Sequence, residues 1–110
     1  MFYYRLGGPV AVTAVVDDFY THVLADPQLA PYFEHVEMPK LKRHMVLLLT
    51  KVLGGPDSYK GRDLADAHRG LGITEGHYAR VGYILLGVLW EHGAGVDGLI
   101  QVAEVPLRSA

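Results

Sequence analysis

The sequence predicts an all-α fold, and three observations support this prediction. Apolar residues recur at every third or fourth position along several stretches of the 110-residue chain, as on one face of a helix. Glycines and prolines cluster between these stretches, at 7–9, 54–56, 70–72 and 93–95, which is typical of helix ends and turns. No stretch alternates apolar and polar residues with the period of two expected for a half-buried strand. We predict a single domain spanning residues 1–110.

The composition argues against several classes of function. Only 20% of the residues are charged and the formal net charge is -2, so nothing favours binding to nucleic acid or to acidic membranes. The chain has no cysteine, which excludes disulfides and thiolate metal sites. Its start lacks the apolar run of a signal peptide, and the run at 45–49 is too short to span a bilayer. We expect a soluble, cytoplasmic protein.

The first long helix is expected to begin at Pro9, because proline lacks the N–H that the first helical position leaves unpaired. It should end near Asp26 and Pro27. Its apolar face carries Val12, Val16, Phe19, Tyr20 and Val23. Tyr20 is the polar member of this face, so its hydroxyl needs a partner if the face is buried. Either the oxygen reaches the surface from a core position, or it serves a site.

After a compact turn or short helical connection over 26–38, a second helix is expected to begin at Pro39 and to end at Gly54. Its apolar stripe is formed by Leu41, Met45, Leu48, Leu49 and Val52. His44 lies about 60° from Leu41 around the helix, on the flank of the stripe. From there its ring faces either a pocket or solvent.

A third long helix is predicted from an N-cap at Thr74 to about His92. Its glycines lower its intrinsic helix propensity, so packing must hold it. Trp90 should point away from the apolar stripe. A weaker helical segment follows at 96–107. The stripe of the third helix consists of Tyr78, Val81, Leu85, Val88, Leu89 and His92.

A short helical pattern over 62–73 places His68 among apolar residues, with Leu64 and Leu71 on the same side. A histidine in such a position needs a partner for its ring nitrogens. It is either a hydrogen-bonded core residue or a ligand that binds a metal from the wall of an apolar pocket. The pattern alone leaves both alternatives open.

In order and spacing, these pieces resemble the group I truncated haemoglobins, short globins that stack two helices over two others around a haem. The resemblance covers nearly the whole chain and weakens only after about Gly93. The motifs that carry it are Leu6-Gly7-Gly8, Val16-Asp17-Asp18-Phe19-Tyr20, Val23-Leu24-Ala25-Asp26-Pro27, Tyr32-Phe33, Leu53-Gly54-Gly55-Pro56, Tyr59-Lys60-Gly61-Arg62 and Ala67-His68-Arg69-Gly70-Leu71-Gly72-Ile73-Thr74.

The resemblance implies a truncated-globin fold around haem b, with His68 as the proximal ligand of the iron. Tyr20 is similar to the distal tyrosine, whose hydroxyl can hydrogen-bond bound oxygen and slow its release. Phe33 matches a phenylalanine that packs against the porphyrin. Leu41, Met45, Leu48 and Leu49 would form the distal helix face. The remaining candidates are Leu64, Ile73, Tyr78, Val81 and Leu85 for the pocket wall, and Lys40, Tyr59 and Arg62 for the haem propionates.

The distal side departs from the family pattern. Many group I members carry glutamine at one or both of the positions of Leu41 and Met45, where the amide assists the tyrosine. Here Tyr20 is the main donor, and His44 is either a second donor, an internal sixth ligand of the iron, or neither. With fewer donors, oxygen release should be faster than in members that have the amides.

The resemblance implies a haem protein that reversibly binds diatomic gases such as oxygen, nitric oxide and carbon monoxide. The alternative is a nitric oxide dioxygenase, or another haem-dependent catalyst that uses the open apolar distal side; a reductase would then restore the ferrous state. A third possibility is a haem-free helical interaction module. Haem content separates this third class from the other two.

Overall fold

The chain begins with a short helix, α1 (Phe2–Leu6), in the computed structural model, which describes residues 2–55 and 72–104. The sequence analysis assigned no helix here, because five residues are too few to show a helical period. Tertiary contacts hold α1 in place: Tyr3 is buried, and its backbone N–H donates to the carbonyl of Leu53 at 2.9 Å. A Cβ on Gly55 would lie 2.7 Å from the Tyr3 ring, so this close approach requires glycine.

Helix α2 (Gly8–Ala25) follows directly and has Pro9 in its first turn, as predicted. Gly7, which precedes it, has a φ of 127°, a backbone conformation that residues with side chains rarely adopt. The predicted apolar face is buried throughout. Its members are Val12, Val16, Phe19, Tyr20 and Val23.

A 3-10 turn (Ala30–Phe33) connects α2 to α3 (Met38–Val52), which agrees with the predicted short connection and second helix. Helix α4 (Glu75–Glu91) has Thr74 as its N-cap, and the Thr74 hydroxyl accepts a hydrogen bond from the backbone of His77. Helix α5 (Gly95–Ala103) covers part of the weakly helical segment predicted for 96–107. The elements within the described residues are all helical, which confirms the all-α prediction.

Helix α2 lies at the centre of the fold and packs against both α3 and α4, while α5 packs against α4. The buried residues of these helices form one hydrophobic core. Two polar contacts join the connection after α2 to α4. The Arg80 guanidinium binds the Asp26 carboxylate, and the Tyr32 hydroxyl lies 2.5 Å from His77 Nδ1.

On α4, the Trp90 side chain is exposed, as predicted. Within the described part of the chain, no helix combines the length and the apolar character needed to cross a membrane. Residues 56–71, with most of the short helix predicted around His68, lie outside the described residues.

Candidate functional site

An apolar cavity lies where α2, the 3-10 turn, α3 and α4 meet. Its enclosed part has a volume of about 30 Å³, which is room for one or two molecules the size of water. The surrounding empty space, part of it open to solvent, is about 450 Å³. The lining residues are Phe19, Tyr20, Phe33, Met45, Ile73, Tyr78, Val81, Gly82 and Leu85.

Tyr20 brings a hydroxyl group into this apolar space. Its side chain is only 1% exposed, and the hydroxyl has no hydrogen-bond partner among the described residues. Phe19 and Phe33 pack edge-on against its ring, with centroids 4.7 and 6.1 Å away, and fix its orientation. Burial raises the pKa of the phenol above its ordinary value, so the group stays protonated at physiological pH and can donate a hydrogen bond.

On α3, the structure separates the residues that sequence analysis grouped on one distal face. Met45 is 2% exposed and lines the cavity. Leu41, Leu48 and Leu49 are also buried but are not among the lining residues. They pack in the core that supports Met45 rather than forming the cavity surface.

His44 presents a second polar atom without a partner. Its side chain is half-buried, and Nδ1 has no hydrogen-bond partner within the described residues. A buried polar atom left unpaired costs free energy comparable to a lost hydrogen bond. His44 lies on α3 but is not among the residues that line the cavity.

Helix α4 supplies the opposite wall through Tyr78, Val81 and Leu85, and Ile73 lies just before its N-cap. Sequence analysis did not assign Phe19 or Gly82 to the cavity. Gly82 lies four residues after Tyr78 and three before Leu85, so helical spacing puts it on the same face. A Cβ at Gly82 would meet no atom within 4 Å, and the missing side chain leaves this part of the cavity open.

The remaining predicted site residues fall into two groups. Lys40 is exposed near the start of α3, where it is free to meet an anion at the protein surface. The others lie outside the described residues: Tyr59, Arg62, Leu64 and His68.

The chemistry of the cavity lining, rather than its volume, fits one wall of a site for a flat apolar group such as haem, with a small polar ligand beside it. Its walls are phenylalanine, valine, leucine, isoleucine and methionine side chains, which pack well against a porphyrin face. The orphaned Tyr20 hydroxyl supplies a donor that the described part of the protein leaves unused. A packed helical domain without a ligand would have no physical reason to bury this hydroxyl unpaired.

Comparison with known proteins agrees with this geometry. A sequence model of the bacterial-like globin family matches residues 1–91. A group 1 truncated haemoglobin of Synechocystis is 38% identical over 107 residues, covering 94% of this chain and 86% of the relative. Another, from Mycolicibacterium paratuberculosis, is 40% identical over 100 residues, covering 91% of this chain and 74% of the relative.

Solved structures give the same result for the fold. The Fe(III) truncated haemoglobin of Tetrahymena pyriformis superposes with a TM-score of 0.80 at 32% identity, over 94% of this chain and 88% of that one. The cyanomet 2/2 haemoglobin of a Synechococcus species, with covalently attached haem, gives 0.82 at 32% identity, over 97% and 94% of the two chains. The two-over-two architecture predicted from the sequence is thus confirmed, and the chain belongs to the bacterial-like globins, among the group 1 truncated haemoglobins.

Proposed function

We propose that the chain binds haem b against the cavity, with His68 as the axial ligand of the iron, and that it reversibly binds oxygen. As a group 1 truncated haemoglobin the chain is a haem protein that binds diatomic ligands. The observation that carries the more specific proposal is the Tyr20 hydroxyl, which is buried in an apolar cavity without a protein partner in the described structure. Oxygen is the diatomic ligand that gains most from such a donor, because it becomes strongly polar when bound.

When bound, haem supplies the iron at which the gas is held. The residues of this chain would form the apolar space beside the iron and supply a hydrogen-bond donor there. Tyr20 would donate one hydrogen bond to the bound gas, from a ring that Phe19 and Phe33 hold in place. The apolar side chains around it, Met45, Val81 and Leu85, exclude water that would compete for that donor.

Among the described residues, Tyr20 is the donor that we place beside the bound gas, and the resemblance puts apolar Leu41 and Met45 at positions where many relatives carry amides. A net hydrogen bond is worth about 0.5–1.5 kcal/mol. Oxygen held by one such bond is released sooner than oxygen held by two or three. We therefore propose reversible binding with fast release, and not tight storage.

The proposal also covers other gas ligands, the residues that hold the haem propionates, and the cellular location. Nitric oxide and carbon monoxide bind at the same position as oxygen. We also propose that exposed Lys40, together with Tyr59 and Arg62, would hold the haem propionates, which are anions. We also propose that the protein acts in the cytoplasm as one domain over residues 1–110; a reductase would be needed for the alternative function, nitric oxide dioxygenation.

The first test is the visible absorption spectrum of haem-reconstituted protein, first ferric and then ferrous, without added gas. A five-coordinate ferrous spectrum is expected, in which His68 alone binds the iron and the distal side is open to gas. A six-coordinate low-spin ferrous spectrum would instead identify His44 as an internal ligand. Absence of a Soret band from bound haem would contradict the proposal altogether.

The second test addresses His68 directly. In His68→Ala the iron–histidine vibration of the ferrous protein should disappear from the resonance Raman spectrum, and added imidazole should restore it. His35→Ala is the matched control, because His35 is an exposed histidine just after the 3-10 turn. An unchanged vibration in His68→Ala would show that another residue binds the iron.

A further inference from the structure

Two carboxylates and two histidines meet on the surface between α2 and α4. Asp18 and His22 are one helical turn apart on α2, whereas Glu91 ends α4 and His92 is its C-cap. One ligand atom from each of Asp18, His22 and Glu91 lies within 4.8 Å of the others. Because each residue turns the helix by about 100°, Asp18 and His22 lie about 200° from Tyr20, on the side away from the cavity.

The Asp18 carboxylate lies between the two imidazoles. Its Oδ1 is 3.5 Å from Nε2 of His22, and its Oδ2 is 3.1 Å from Nε2 of His92. A carboxylate oxygen only accepts hydrogen bonds, so His92 is the donor in its contact. This contact orients the carboxylate and leaves Oδ1 on the side of His22.

We propose that Asp18, His22 and Glu91 form a binding site for a divalent transition-metal ion of the zinc type. Imidazole nitrogen and carboxylate oxygen are ligands that zinc prefers, whereas calcium and magnesium favour oxygen alone. Metal–ligand bonds of about 2.0–2.2 Å place tetrahedral ligands roughly 3.3–3.6 Å apart, so ligand atoms now up to 4.8 Å from one another must approach by at most about 1.5 Å. Side chains at this exposed position can do so by small rotations.

The surroundings favour a cation. The site lies at the C-terminal end of α4, where the carbonyl ends of the helix carry partial negative charge. An open cleft of about 320 Å³, lined in part by His22, Gly87 and Glu91, leaves room for water to complete the coordination. His92 then has the role of an outer partner that holds a metal-binding carboxylate by hydrogen bonding.

Zinc binding by the haem-loaded full chain tests the proposal, measured by competition of Zn²⁺ with a chelating dye. One zinc ion per chain should bind to the native protein and to the control His35→Ala. Both His22→Ala and Glu91→Gln should weaken binding at least tenfold. His92→Ala should weaken it by about 10- to 100-fold, as for other outer partners. Zinc affinity in His22→Ala equal to that of the native protein would overturn the proposal.

A rescue variant separates loss of the site from loss of the fold. Cysteine is also a zinc ligand, so His22→Cys should bind zinc again while His22→Ala does not. Zinc should also raise the melting temperature of the native protein and of His35→Ala, because it joins α2 to α4, but not that of His22→Ala. Equal shifts in all three proteins, or no rescue by cysteine, would contradict the site.

Discussion

Two tyrosines in this structure show opposite ways of placing a hydroxyl group. Tyr32, in the 3-10 turn, is half-buried; its oxygen lies 2.5 Å from His77 Nδ1 on α4, and the two rings pack edge-on with centroids 5.4 Å apart. Tyr20, on α2, is almost completely buried, yet its oxygen has no partner in the described part of the chain. The Tyr32 hydroxyl stabilises the fold, whereas the unpaired Tyr20 hydroxyl destabilises it.

The difference separates structural polar groups from functional ones in this small protein. Two polar contacts between elements illustrate the structural kind: Arg80 binds Asp26, and Gln101 donates to the carbonyl of Val52 at the end of α3. At the cavity, the Tyr20 hydroxyl has no partner among the described residues. Because an unsatisfied buried group destabilises a fold, its presence at the cavity is best explained by a ligand that it meets.

The largest expected effect is on Tyr20. In the haem-free protein, Tyr20→Phe should raise the free energy of unfolding by about 1–3 kcal/mol, because it removes a buried hydroxyl that has no partner. Urea denaturation followed by circular dichroism measures the change. A clear loss of stability would mean that the hydroxyl is paired in the folded protein, and the contrast with Tyr32 would fail.

Tyr32→Phe should change stability in the opposite direction. Removing this hydroxyl leaves His77 Nδ1 without its partner and should lower the free energy of unfolding by about 0.5–1.5 kcal/mol. The same denaturation experiment applies, with Tyr83→Phe as the control because the Tyr83 side chain is 74% exposed. Equal stability of Tyr32→Phe and the control would remove the structural role of the Tyr32 hydroxyl.

Gly82→Ala tests whether the missing side chain on α4 keeps the cavity open. Alanine should stabilise α4 by about 0.8–1.0 kcal/mol, since glycine is a poor helix former and the new methyl group meets no atom within 4 Å. The same gain is expected for the control Gly87→Ala, which is on α4 but does not line the cavity. Gly82→Ala alone should slow gas entry, measured by carbon monoxide rebinding after flash photolysis. Equal rebinding in both variants would show that Gly82 does not shape the cavity.

The smallest effect is expected at the ion pair of Asp26 and Arg80, which joins the connection after α2 to α4, as the contact of Tyr32 with His77 does. The hydrogen bond from Arg80 holds the pKa of the Asp26 carboxyl below its usual value, and the backbone N–H of Gln28 acts in the same direction. Because the folded-state pKa is lowered, this stabilisation is present above the unfolded value of about 3.9 and is lost as pH falls through the folded value.

In Asp26→Asn the side chain cannot ionise, so this pH-dependent stabilisation is absent. The native protein should therefore be more stable than Asp26→Asn at pH 7, and the difference should shrink as pH falls below about 4. Thermal unfolding over this range measures it. A constant difference across the range would mean that the ionised carboxylate contributes nothing.

The long helices could be predicted from the sequence because each repeats its apolar pattern over four or more turns. For the same reason α1 was missed: its five residues are held by the contact of Tyr3 with Leu53 and Gly55, which no local pattern shows. The roles of Tyr20 and Met45 were expected from the family resemblance, and the structure places both at the cavity. The role of His68 stays a prediction.

Other parts of the site could not be predicted, because they depend on tertiary packing. Leu41, Leu48 and Leu49 share a stripe with Met45, but only the packing of α3 decides which of them reach the cavity. From the sequence, Gly82 could be interpreted only as one of the glycines that lower the helix propensity of α4. It has no side chain, so the apolar pattern could not assign it to the cavity. The cluster of Asp18 and His92 joins residues 74 positions apart, a pairing that helical spacing does not reveal.

The most direct test of the account is the oxygen dissociation rate of ferrous, haem-loaded Tyr20→Phe, measured by stopped-flow replacement of oxygen with carbon monoxide. Loss of one net hydrogen bond of about 0.5–1.5 kcal/mol predicts release about 2- to 13-fold faster than in the native protein. Tyr32→Phe should release oxygen at the native rate. An unchanged rate in Tyr20→Phe would show that the buried hydroxyl does not meet the bound gas, and would contradict the proposed distal role of Tyr20.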